Sequence, residues 1–170
     1  MSAAPKQWPF PDARHVPGVT PRPETSPAFD AAREAPAYTV DRTWRENQTY
    51  LYGVDLYNAG FFWEAHEVWE PVWMRAGGNS RERLAVQGLI QLSNACLKLV
   101  MQRPEAARRL LDISRDKLLE ASQSGETIMG VDLPDLSTGI HTFRTKIDDG
   151  TDMSDTILTE RPALTLINPD

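Results

Sequence analysis

An all-α fold, a compact bundle of about five helices, is what this sequence predicts, and three observations predict it. Apolar residues recur at intervals of three and four through most of residues 43–150. Glycine, proline and capping residues punctuate these periodic runs at helix-like lengths. Sustained strand-like alternation is missing, so two helical hairpins plus a C-terminal helix account for the pattern, with extended arms at both ends. The expected organisation is a Pro-rich arm over 1–40, a helical domain over 41–150 and an acidic tail over 151–170.

The arm holds eight of the 13 prolines, interspersed with Trp8, Phe10, Val16, Val19 and Phe29. Such chain reads as extended or polyproline-like, not helical. It is either a free tail or a strap laid over the bundle or a neighbouring subunit.

Thr43 with Glu46 forms a capping box, so the first helix is expected at 43–59, with Leu51 and Val54 inward. Gly60 suits the left-handed position that ends a helix. A second helix then begins near Phe61. It carries three of the five tryptophans, Trp63, Trp69 and Trp73, with His66, Glu67 and Glu70 among them. Apolar positions cover more than half its circumference, so the helix is expected to be buried on several sides and His66 with it. Helical spacing puts His66, Glu67 and Glu70 within reach of one another. A buried histidine and two carboxylates need partners or perform chemistry. Pro71 is expected either to kink this helix or to start a new turn.

The break at Gly77-Gly78 precedes a third helix capped by Asn79, with Glu82 at its third position, running to about 102. Its polar row is Gln87, Gln91, Asn94 and Lys98. The row is either a solvated face or a set of amides facing the acids of the second helix, and the second reading is preferred. Cys96 reads as a small core residue. Pro104 opens a fourth helix with mixed charges on its outer face. The pattern Val54-x-Leu56 with Glu64-Ala65 returns 41 residues later as Ala95-x-Leu97 with Glu105-Ala106. This is a weak repeat of one hairpin unit. After a loop to Val131, Asp132 or Asp135 caps a fifth helix ending at Gly150. Residues 163–167 form a short strand or an extended arm.

The run from Asn58 to Glu70, N-A-G-F-F-W-E-A-H-E-V-W-E, followed by Q-G-L-I-Q-L at 87–92, resembles the DUF309 family. The resemblance covers about residues 45–119, and the segment H-V-P-G-V-T-P-R-P at 15–23 is similar to one in longer members. It implies a compact helical domain and no assigned activity. A helix former is usual in that family where Pro71 stands.

A formal net charge of −6 and a pI near 5.1 argue against nucleic acid and anionic membrane surfaces as partners. One cysteine and no signal-like N-terminus fit the cytoplasm. The expectation is a binding or scaffold module for a protein or small molecule, with a homo-oligomer left open. Its His/Glu cluster would specify the core. The alternative is a hydrolase-type enzyme, metal-dependent or acid–base, with His66, Glu67 and Glu70 as catalytic candidates. Asp55, Asn58, Glu64, Gln87, Gln91 and Asn94 are the binding candidates around them. No cofactor and no metal are expected: His66-Glu67-x-x-Glu70 lacks the second histidine of a zinc pair, and the third helix offers amides in place of carboxylates.

Overall fold

The computed structural model describes residues 7–147 and 155–167. Its principal helices are α2 (Gln48–Asn58), α3 (Phe62–Met74), α4 (Arg81–Val100), α5 (Pro104–Ser122) and α6 (Leu133–Thr145). The helices α2 and α3 form one hairpin and α4 and α5 another, with α4 against α3 and α6 against α5. The architecture is the all-α bundle that the periodicities predict.

Each turn has a local cause. Gly60 takes φ 89°, and Phe61 donates its N–H to Leu56 O at 2.9 Å, closing α2 in the left-handed geometry expected of that glycine. Pro104 opens α5 at its first turn. Asp132 caps α6 by accepting from the Asp135 N–H at 3.0 Å.

The first and third helices start later than expected. Residues Asp41–Glu46 form a 3-10 turn in which Thr43 is non-helical, with φ −118°. Asn47, not Thr43, caps α2 by accepting from the Tyr50 N–H at 3.0 Å. Ser80, not Asn79, caps α4 by accepting from the Arg83 N–H at 3.2 Å. In both places two good capping residues stand within a few positions of each other, and the later one caps the helix. Pro71 lies inside α3 without dividing it. The fifth helix stops at Thr145, and its expected end at Gly150 lies outside the described residues, as does part of the acidic tail.

The arm departs furthest from expectation. It contains a helix, α1 (Pro27–Arg33), capped by Ser26 and opened by Pro27. Ala28 and Ala31 are completely buried on its inner side, small enough to bring α1 close to α3. Elsewhere in the described arm, two points among others hold it to the bundle. Trp8 is buried on Tyr52, with ring centroids 5.5 Å apart, and Tyr52 Oη donates to Pro9 O at 2.7 Å. Thr39 Oγ1 donates to Val72 O at 2.7 Å, satisfying a carbonyl at the end of α3.

One further feature was not expected. The loop before α6 holds a two-residue hairpin, β1 (Thr127–Ile128) with β2 (Val131–Asp132). Met129 and Gly130 turn it, both with positive φ. Of the short strand or extended arm expected over 163–167, the structure forms no strand, and Ile167 N–H donates to Gly130 O at 2.7 Å.

The core centres on the fully buried Trp69, whose indole lies across α2 and donates to Tyr50 O at 3.2 Å. A Cβ at Gly53 would meet that indole at 2.2 Å, so the close approach requires glycine. Among the described residues, no helix is long and apolar enough to cross a membrane.

Candidate functional site

The structure brings His66, Glu67 and Glu70 together, as their spacing predicts. His66 Nδ1 is 3.8 Å from Glu67 Oε1, and His66 Nε2 is 3.9 Å from Glu70 Oε2. Both distances exceed a hydrogen bond. One ligand atom from each residue lies within 4.8 Å of the others. Yet the cluster is at the surface and not in the core. The His66 side chain is 29% exposed and that of Glu70 50%. The expectation of burial failed because neighbours cover α3 unevenly. The arm and α1 cover its first turns, so Trp63 is buried, while the same side one turn later, at His66 and Glu70, reaches solvent.

The other candidates are dispersed. Asn58 holds the C-terminal segment: its Nδ2 donates to Leu164 O, and its Oδ1 accepts from Leu164 N–H, both at 2.9 Å. Asp55 borders a small cleft with Gln7, Trp8 and Tyr52 of the arm and α2. The amide row of α4 does not serve the acids. Ser93 of α4 meets α3 instead, donating to Phe62 O at 2.7 Å, and the Arg83 guanidinium lies over the Trp73 ring at 4.1 Å. Gln87 lines a separate cleft with Arg83, Lys117 and Glu120. Gln91 and Asn94 are half-buried, and among the described residues neither hydrogen-bonds to His66, Glu67 or Glu70.

Among the described residues, Glu64 is the carboxylate that is buried, at 1% exposure in the first turn of α3. Its Oε2 accepts the main-chain N–H of His15 at 2.9 Å. Its Oε1 is buried with no hydrogen-bond partner among the described residues. Burial raises the Glu64 carboxyl above the ordinary carboxylate range. The hydrogen bond from His15 opposes the rise, Glu67 adds to it and Arg14 pulls it back.

Glu64 forms part of the wall of a cavity of about 620 Å³ between the arm, α1 and α3. His15, Thr20, Arg14, Asp12 and Asp30 share that wall. A turn through Pro17 and Gly18 shapes the arm there: Val19 N–H donates to Val16 O at 3.0 Å, and Gly18 takes φ 77°. Thr20 Oγ1 then sits 2.9 Å from His15 Nδ1 and accepts from Val16 N–H at 2.9 Å. The His15 ring packs edge-on against Trp63, with centroids 4.5 Å apart. Reasoning from periodicity missed His15 and Thr20. The only signal for them was the segment H-V-P-G-V-T-P-R-P, in which a turn pair separates a histidine from a hydroxyl.

Residues 50–110 match the family described as a domain of unknown function, DUF309. Over that segment the chain is similar to this family. No curated protein gives a significant match to the chain. The DUF309 segment runs from within α2 to within α5. It contains Asp55, Asn58, Glu64, the His66 cluster and the amide row. His15 and Thr20 lie outside it, so the cavity is built jointly by the matched segment and the arm.

Proposed function

We propose that the protein is a binding module for a small molecule, acting in the cytoplasm, with the arm-covered cavity beside Glu64 as its site. The observation that carries this reading is the Glu64 carboxylate. One oxygen is committed to the arm, the other is buried without a partner among the described residues, and the residue lines a sizeable cavity. An orphaned buried acceptor is costly, and a ligand donor would remove that cost. A concave site with a few convergent polar groups is the usual form of a ligand pocket. The test is a fragment screen on the full chain by NMR. Hits should move the amide resonances of His15, Thr20 and Glu64. Hits that cluster elsewhere would overturn the assignment.

A second reading keeps His66, Glu67 and Glu70 as a hydrolase-type site, metal-dependent or acid–base. It is favoured by the convergence of three ligand atoms within 4.8 Å. Titration with zinc decides on the metal-dependent form: a raised melting temperature in the parent, lost in His66→Ala, would favour it.

A further inference from the structure

Resting on the cavity reading above, we propose that the ligand of this cavity presents a cationic nitrogen, a primary ammonium or a guanidinium, to Glu64. Three carboxylates share the wall, Asp12, Asp30 and Glu64, against one guanidinium, Arg14. Asp30 is already paired with Arg33 at the surface, and Glu64 is committed through only one oxygen. A carboxylate accepts at both oxygens, and a cationic N–H makes the stronger bond. Turning Oε1 toward the cavity moves Oε2 as well, so it loosens the bond from His15, and a cationic donor, the stronger kind, is what would offset that loss. The neighbouring rings already hold a group of this kind. The Arg22 guanidinium lies 5.7 Å from the centroids of both Phe29 and Trp63, on the segment that also supplies Pro21 and Pro23 to the wall. A second cation, brought by the ligand, would be received by Glu64 with Asp12 and Asp30 at the mouth.

The experiment uses matched four-carbon probes on the full chain, followed by NMR titration: butylammonium, 1,4-diaminobutane and butylguanidinium against butanoate and 1-butanol. The cationic probes should shift the His15 and Thr20 amides saturably, and less so as salt is raised. Glu64→Gln should weaken them by about tenfold, because it removes the charge while keeping the shape. If that variant does not fold, Asp30→Asn at the exposed rim decides instead, with a weakening of about twofold to threefold expected for an exposed charge and unchanged affinity counting against the proposal. Butanoate or butanol binding better than the cations would overturn the cationic class and leave the cavity standing as a site. Unchanged affinity in Glu64→Gln would overturn Glu64 as the receiver. If no probe moves the His15 and Thr20 amides, both the cation and the cavity reading fall.

Discussion

His15 and Glu64 stand 49 residues apart in the chain, and the main-chain N–H of the first donates to Oε2 of the second at 2.9 Å. This bond ties the arm to the first turn of α3. It also places an imidazole, a threonine hydroxyl and a buried carboxylate around one cavity.

Glu64 makes stability depend on pH in an identifiable direction. Its folded carboxyl is raised above the unfolded value, mainly by burial. The folded state therefore holds its proton more tightly, and this group adds stability as pH falls from neutrality toward the unfolded pKa of about 4.5. That increment is lost as pH rises through the folded pKa. Urea unfolding of the parent and Glu64→Gln across this range should show the increment in the parent and its loss in the variant. Parallel curves would contradict the assignment.

Deleting residues 1–40 should lower the melting temperature. The deletion removes the buried Trp8, Ala28 and Ala31 and uncovers Trp63 and Glu64. Trp8→Ala is the milder version, with an expected cost of about 3 kcal/mol or less, since the arm can release locally. Differential scanning calorimetry checks both.

Gly53→Ala should destabilise the bundle by about 1–3 kcal/mol, the usual range for overpacking. The added Cβ would meet the Trp69 indole at 2.2 Å, a ring that cannot give way without losing its bond to Tyr50 O. Loss of near-ultraviolet circular dichroism at lower denaturant concentration is the expected signature.

His66→Ala should change stability by only about 1 kcal/mol or less, because the side chain is half-buried and its carboxylate neighbours lie beyond hydrogen-bond reach. A loss of several kcal/mol in denaturant unfolding would restore the reading of His66 as a residue that specifies the core.

Cys96 is wholly buried, and burial pushes its thiol up to about 12. Thiol reagents should label it only as fast as the protein opens, and denaturant should release the reaction.

Much of the fold was legible along the chain because helices announce themselves locally. Gly60, Pro104 and Asp132 act within a few residues of themselves, and each ends or starts a helix as expected. The errors of onset at Asn47 and Ser80 are of the same local kind, a choice between caps one to four residues apart. The helix in the arm was also written locally, in Ser26-Pro27 and the alanines after them, but the density of prolines around it obscured that signal.

The candidate site was legible only in part. The sequence by itself determined that His66, Glu67 and Glu70 would meet, because spacings of one, three and four residues on one helix bring them together whatever surrounds it. It also determined that α3 would be a largely apolar helix in an all-α bundle. Which carboxylate would be buried was decided only by the tertiary structure. Periodicity records the faces of one helix and says nothing of how far along each face a neighbour extends. The arm follows one side of α3 as far as Val72, but on the side of Trp63 and Glu70 it and α1 end their cover in the first turn, so Glu64 is enclosed and His66, half a turn further, is left at the surface.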